Sequence, residues 1–548
     1  MLPTHDVFNQ APPLRGYNAC AQDVALVQAL QREGGGWGMA EVQAYGAIAG
    51  DELLDLGFLA NQTPPLFRPV DPYGHRIDEV VFHPAYHRTM QLAKAHDLHG
   101  MGWRGERAGA QVVRAALFYL HYQFEAGSLC PITMTHAAIP ALRHQPSLAA
   151  RWEPLILGKD YDPRALPAEQ KSSLTIGMGM TEKQGGSDVR ANTTRARPIG
   201  AGGPGEAYEL TGHKWFFSAP MSDAFLVLAQ SSGGLSCFLL PRWRPDGTRN
   251  AFAIQRLKDK LGDRSNASSE VEFHGAWAQM VGAEGRGVAT ILEMVAHTRL
   301  DCVLGSAALM RQAVAQAAHH ASYRQVFGKR LLEQPLMQNV LADLAIESEA
   351  ALVLAMRLAR AFDASAADAD EQAFARLATP VAKYWVCKRA PAQVGEALEC
   401  LGGNGYVEEF LLARLYRQAP LNSIWEGSGN VQCLDVHRAM TRNPASIDAF
   451  LAELDAARGS DRRLDAHCSK LREALGKPSL VEGEARRLVE AMALALQGAL
   501  LVRAGNAAVA DGFCASRLDA GGLAFGTLPA GVACRDIIER ARPKLADP

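Results

Sequence analysis

Across residues 174–281 the chain changes texture. On either side apolar residues recur at spacings of three and four; within this stretch they gather into short β-rich runs, so a β segment interrupts helices. The runs cover 208–210, 224–229, 235–240 and 269–273. In the last, Val271 and Phe273 alternate with Glu270 and Glu272, the period of a half-buried strand. Breaks at 200–205 and at Pro245-Asp246-Gly247 separate the runs, and a small antiparallel β domain is expected. Residues 20–157 read as helical, as at 107–123. Long helices are expected over 288–322, 335–364, 370–401 and 430–440, with the wide apolar faces of a bundle, and 361–369 reads as an Ala-rich loop. Beyond Arg442-Asn443-Pro444 an Ala-, Leu- and Arg-rich stretch, including 482–509, reads as an appended helical unit. The chain therefore divides into 1–176 (helical), 177–287 (β), 288–440 (helical) and 441–548 (helical extension).

At 548 residues the chain is too long for one cooperative core. Its 48% hydrophobic and 21% charged residues are those of a compact soluble protein. A net charge of -2 excludes whole-molecule attraction to nucleic acid or to an anionic membrane. The extension is also balanced, with 15 Lys plus Arg against 14 Asp plus Glu. The first residues lack a basic and then apolar export signal, and the longest near-apolar stretch, 491–502, is too short to span a bilayer. A cytoplasmic protein with no membrane segment is expected. Ten cysteines stand singly with no C-x-x-C, which reads as buried, reduced thiols. No metal is expected: His83 and His87 have helical pair spacing, but Pro84 starts a helix there and no third ligand follows. His319-His320 reads as a surface or capping pair.

Neither a G-x-x-x-x-G-K-[ST] loop nor a strand-to-helix G-x-G-x-x-G is present. Instead, Met180-Thr181-Glu182-Lys183-Gln184-Gly185-Gly186-Ser187-Asp188 offers hydroxyls and a Gly pair whose backbone can approach a ligand. Downstream, Gly212-His213-Lys214-Trp215-Phe216-Phe217-Ser218 offers aromatic faces and a hydroxyl suited to a flat heterocycle. Both strings resemble the flavin loops of the acyl-CoA dehydrogenase family. Four more segments resemble that family in the same order: 260–268, Arg324 with Phe327-Gly328, Leu401-Gly402-Gly403-Asn404-Gly405-Tyr406, and Ile424-Trp425-Glu426-Gly427-Ser428. Residues 127–135 and 422–430, with the extension, are similar to its alkylation-response branch, the AidB type, over essentially the whole chain.

The resemblance implies a mainly α fold with a central β domain: helical domain, antiparallel β domain, helical bundle and C-terminal helical extension. It implies FAD, with the flavin ring between the β domain and the second helical domain. Thr181 and Ser187 would bond the isoalloxazine edge, beside Met180 and Gly186. Ser218 stands for the hydroxyl near flavin N5, and Phe216, next to Phe217, occupies the place of a common Trp. Arg324 and Phe327 match groups that reach the FAD of a neighbouring subunit, and Gly402 and Gly403 match the turn under the adenosine half. Trp425, Gly427, Ser428 and Asn430 fall on the cofactor side of the last motif, where Ser428 and Asn430 replace the usual Thr and Gln. Members of the branch are tetramers linked to protection of DNA against alkylating agents, bind double-stranded DNA, and have weak acyl-CoA dehydrogenase activity.

Dehydrogenating a saturated thioester needs a base at the α carbon and a hydride acceptor at the β carbon. Glu426, in a Gly-flanked turn, is the candidate base, and its backbone N–H is a candidate for polarising the thioester carbonyl. Arg299 matches a family arginine near the base, and serves equally as a structural ion-pair partner. Glu399, Lys183-Gln184 and the extension depart from ordinary fatty-acid enzymes. Three functions follow: an FAD enzyme of the alkylation response that binds duplex DNA without sequence preference, an ordinary short- or branched-chain acyl-CoA dehydrogenase, and a non-enzymatic DNA-protecting flavoprotein. The extension favours the first over the second and does not separate the first from the third. Arg438, Arg442, Arg503 and Arg517 are the candidate phosphate contacts.

Overall fold

The computed structural model describes residues 4–105, 107–476, 481–519 and 521–545. The chain forms two compact units. One combines Met1–Asp51, Arg107–Phe124 and Cys302–Pro548; the other combines Glu52–Glu106 and Glu125–Asp301. The N-terminal helical stretch, expected as one segment, is thus shared between the two.

The second unit holds the β domain. A hairpin of β1 (Leu66–Val70) and β2 (Arg76–Val81) lies in the stretch read as helical; its strands are short and mostly exposed, which leaves little apolar periodicity to detect. The main sheet consists of β3 (Ile176–Gly179), β4 (Arg195–Pro198), β5 (Ala207–Ser218), β6 (Ala224–Ser231), β7 (Gly234–Pro241), β8 (Phe252–Leu257) and β9 (Ser268–Val281). Its order is β3-β6-β4-β5-β9-β7, with β8 on β9, and β6 also pairs β7, so the path closes and leaves few open edges. The wholly antiparallel expectation is corrected: β3 runs parallel to β6, from Ile176 opposite Ala224 to Gly179 opposite Val227. The chain leaves β3 through a long loop and traverses β4 and β5 before β6 returns beside β3 in the same direction. Val271 and Phe273 point inward as their alternation predicts, and Phe217, Phe225, Phe238 and Phe252 join them in the core.

The helical unit is built around Ala110–Tyr122, all of whose residues are buried. A helix apolar nearly all round has no face for water and goes to the centre. Helices Gly287–Tyr323, Pro335–Ala364, Ala369–Glu399 and Gly429–Arg442 follow the expected spans. Asp368 starts the third by accepting from Asp370 N and Glu371 N, so the expected 361–369 loop shrinks to the residues between Ala364 and Ala369. His83 caps Pro84–Ala95 by accepting from Ala85 N. His319 and His320 are buried, correcting their reading as surface residues. His319 Nε2 lies 2.7 Å from Pro12 O, and burial lowers both imidazoles below their ordinary value. No disulfide links the ten cysteines, eight of which are buried. Burial pushes the thiols of Cys20, Cys237, Cys400 and Cys514 up to about 12.

The extension packs back onto the bundle. Ala485–Ala504 lies against Pro335–Ala364 and buries Leu488, Val489, Met492 and Leu496. Buried charges cross the same boundary: Arg357 bonds Glu371 at 2.7 Å and Glu453 of the extension at 2.8 Å, and Arg540 bonds Glu349 at 2.8 Å. Arg517 bonds Asp343 and Glu347, while Arg389 holds the other oxygen of Glu347 at 2.9 Å. Burial alone would raise the Glu347 carboxyl, but Arg389 and Arg517 carry it below its usual value. Arg517→Leu leaves Asp343 uncompensated in the interior. Urea denaturation should show a loss of about 3–5 kcal/mol; an unchanged midpoint would mean that this pair does not hold the extension.

Candidate functional site

Two strings far apart in sequence form one physical unit. Trp215 N donates to Thr181 O at 2.8 Å, and Lys183 N donates to His213 Nε2 at 3.0 Å. Between them Lys214 Nζ meets Glu182 Oε1 at 2.8 Å, with both side chains fully out of water. Glu182 also accepts from the backbone N–H and the hydroxyl of Thr193 and of Thr194, and Lys214 donates to Leu228 O. Burial works to raise the Glu182 carboxyl, but the Lys214 charge and these donors hold it well below the usual range. Burial is the larger influence on Lys214 and draws its ammonium down to about 8 against the pull of Glu182. Neither residue was assigned a role from sequence, because a charged residue in a loop ordinarily reads as solvated.

This clamp fixes what the loops present. Gly186 folds over Thr181, where an added Cβ would fall 2.4 Å from Thr181 Oγ1. The 180–188 loop then lies with Thr181 half-buried and Gly186 and Ser187 exposed. In β5 the register slips between Lys214, opposite Val271, and Phe217, opposite Ser269, so this strand carries one extra residue. Such a bulge re-aims side chains. Phe216 is 52% exposed, whereas Phe217 is sealed in the core against Phe225. Phe217 is therefore corrected from a cofactor contact to a packing residue. Ser218 is half-buried and near Ser268. Lys258 Nζ stands 4.6 Å from the Phe216 ring centroid and 3.5 Å from that of Trp215, adding a cation beside the aromatic platform that sequence did not reveal. An exposed ring, hydroxyls and a Gly-rich loop at one edge of the β domain fit a flat, hydrogen-bonding heterocycle.

The helical unit supplies the other candidates. Glu426 has φ +57 and Gly427 φ +94, a left-handed turn just before the Gly429–Arg442 helix. Bulky residues rarely take this conformation, and it persists only where surroundings enforce it. Here buried Lys383 donates to Trp425 O at 2.7 Å and Gly427 O at 2.5 Å, and Gln432 Nε2 donates to Glu426 O at 3.0 Å and Gly427 O at 2.9 Å. Trp425 Nε1 donates to Asn422 Oδ1 at 3.0 Å, and Tyr122 OH to the same oxygen at 3.2 Å. Lys383 and Gln432 were missed from sequence because they lie inside helices. Ser428 and Asn430 are exposed, and Arg486 of the extension donates to Asn430 Oδ1 at 2.8 Å. Gly402 and Gly403 are exposed, and Gly402 has φ +59 and ψ -138, a conformation open only to glycine. Arg324 donates to Asn9 O at 2.7 Å, and Phe327 projects into solvent, 99% exposed, at φ +50.

The four candidate phosphate-contact arginines part company. Arg438 and Arg442 are exposed one turn apart, Arg503 pairs with Glu453, and Arg517 is enclosed by Asp343 and Glu347. Arg517 is thus corrected from a phosphate contact to a structural residue, its charge already matched inside the fold.

Family models match three parts of the chain: the adaptive response protein AidB N-terminal domain over residues 9–163, the acyl-CoA dehydrogenase middle domain over 177–276, and the acyl-CoA dehydrogenase C-terminal domain over 285–441. The chain is 48% identical to Escherichia coli (strain K12) AidB, which carries an acyl-CoA dehydrogenase name, across 95% of both chains. The chain belongs to the acyl-CoA dehydrogenase family. Within it the AidB N-terminal match places the chain in the AidB branch, with the FAD-dependent oxidoreductase character of the family. It is also 31% identical to acyl-CoA dehydrogenase family member 11 of Caenorhabditis elegans, over 84% of this chain and 75% of that protein. The crystal structure of C. elegans ACDH-11 in complex with C11-CoA superposes with a TM-score of 0.84 at 28% identity, covering 94% of this chain and 92% of that one.

Because the folded Glu182 carboxyl lies below its usual 4.5, its stabilisation is complete above that value and is lost as pH falls through the folded value. The wild-type protein should accordingly lose stability below pH 4.5 more steeply than Glu182→Gln. Lys214→Met, which strands the buried carboxylate, should cost about 3–5 kcal/mol and release flavin at neutral pH. Chemical denaturation followed by flavin absorbance checks both; retained flavin and unaltered stability would refute the clamp.

Proposed function

We propose that this chain is an FAD-containing acyl-CoA dehydrogenase-like enzyme of the DNA alkylation response, with Glu426 as its base and weak thioester dehydrogenation as its residual chemistry. The observation that carries the enzymatic part is the locked 424–428 turn. A glutamate held in a costly left-handed conformation by a buried lysine and a glutamine fits a group placed for proton transfer better than an incidental surface charge. Thr181, Gly186, Ser187, Phe216 and Ser218 would hold the flavin ring, beside Met180. Trp425, Gly427, Ser428 and Asn430 would lie on the rest of the cofactor, and Gly402 and Gly403 under its adenosine half. FAD, when bound, supplies the hydride acceptor. Glu426 then takes the α proton of the thioester, while its backbone N–H is available to the carbonyl oxygen. Arg324 and Phe327 would reach a neighbouring subunit of a homotetramer. The exposure of Phe327 at the turn of a two-strand hairpin leaves its ring available for such a contact.

The DNA part rests on likeness to AidB and on the exposed arginines. With Arg517 excluded and Arg503 paired to Glu453, Arg438 and Arg442, one turn apart on the Gly429–Arg442 helix, are the better phosphate contacts. Their readout would be of backbone rather than bases, giving sequence-independent binding to duplex DNA in the cytoplasm.

Glu426→Gln should lower acyl-CoA dehydrogenation by about 10²–10⁴ while retaining FAD. Anaerobic flavin bleaching with a panel of acyl-CoAs measures this, and unchanged bleaching would place the base elsewhere. For DNA, the logarithm of affinity should fall against that of salt with a slope of about -0.9 per phosphate contact, and Arg442→Ala should reduce the slope by about one. An unaffected slope would remove this helix from the DNA face. Point variants are the proper test, because truncation at Thr441 would strip Glu453 from Arg357 and bare the apolar surface beneath the Ala485–Ala504 helix.

A further inference from the structure

The β domain contains a second concavity, away from the flavin-loop strings along the β8–β9 ladder. It has a volume of about 270 Å³ and is lined by Arg76 and Asp78 of β2, Arg242, Trp243 and Arg249 of the β7–β8 connection, and His274 of β9. Strand register separates it from the flavin edge: Leu257 pairs with Ser269, next to the Phe217 position, whereas Phe252 at the cavity pairs with Phe273.

Three guanidinium groups converge on this space, and each is fixed by a backbone carbonyl. Arg242 Nη1 donates to Met221 O at 3.0 Å, Arg249 Nη1 to Ile77 O, and Arg76 Nη2 to Ile254 O. A carbonyl orients a guanidinium and leaves its charge in place. The carboxylates nearby are fewer. Asp78 accepts Arg76 Nε with both oxygens at 3.0 Å, and Glu272 stands 3.6 Å from His274 Nε2 on the rim. Asp223 is taken by Lys171 at 2.5 Å, and Asp246 is bound to Thr248. The concavity therefore holds an excess of fixed positive charge. Asp78, at φ +43 and buried, is a non-glycine residue in the left-handed region, and its strained backbone aims the carboxylate that orients Arg76. Burial also pulls Arg242 below its ordinary value against the opposing pull of Asp223 and Asp78, and Arg249 adds to the lowering.

We propose that this concavity is a phosphate-binding site. Planar guanidinium groups present paired N–H donors that match the oxygens of a phosphate, and preset orientation reduces the entropy lost on binding. The Trp243 ring, 5.6 Å from the Arg249 guanidinium, forms an apolar wall beside the anion. The space suits the terminal phosphate of a small ester. The backbone of a nucleic acid offers the same chemistry, so the test separates the two sources.

The FAD-loaded full-length protein is titrated by calorimetry with adenosine monophosphate and with a short DNA duplex, at fixed ionic strength. Wild type is compared with Arg249→Gln, an exposed residue outside the core, and with Arg242→Met. Adenosine monophosphate should bind the wild type, and Arg249→Gln should weaken it about tenfold or more at unchanged flavin content. Unchanged flavin content also excludes the FAD adenosine position as the site lost. If the duplex alone binds, and loses affinity in the same variant, the site stands and its phosphate is that of a nucleic acid. If neither probe binds, or Arg249→Gln binds both as tightly as wild type, the assignment falls.

Discussion

Glu182 and Lys214 meet where water cannot reach, and the flavin-loop edge of the β domain depends on that meeting. Two charges removed from solvent are costly unless their attraction and their remaining hydrogen bonds are met. Here they are met by Thr193, Thr194 and Leu228, residues that belong to two further segments of the β domain. One pair thus ties the 180–188 loop, the start of β4, the end of β5 and the middle of β6 into a single rigid edge. The bulge that turns Phe216 outward begins at Lys214 itself, so the residue that anchors the loops also sets the exposed ring beside them.

A different solution operates at Glu426. There the backbone carries the strain, and neutral and cationic donors, Gln432 and Lys383, hold the turn through its carbonyl oxygens. The turn is therefore fixed through the main chain of residues 425–427.

The sequence made legible what is periodic or fixed by residue type. The long helices were readable because their apolar spacing is sustained, and the motifs because glycine, hydroxyl and aromatic residues in that order meet a specific chemical need. Contributions that depend on a distant partner were not readable. Arg517 looked like a free cation until the fold set it beside Glu347, 170 positions earlier. Phe216 and Phe217 were indistinguishable as neighbours, since only the one-residue slip in pairing sends one outward and the other inward. Lys383 and Gln432 carried no signal, being polar residues inside helices whose targets are backbone atoms of a turn.

The buried cysteines bear on how this chain reacts with electrophiles. A thiol reacts with an alkylating agent chiefly as its thiolate. With Cys20, Cys237, Cys400 and Cys514 raised to about 12 and Cys433 and Cys468 to about 11, these thiols are almost wholly protonated at neutral pH. Eight of the ten are also shielded by the fold. The packing that builds the core thus also keeps these thiols poor nucleophiles.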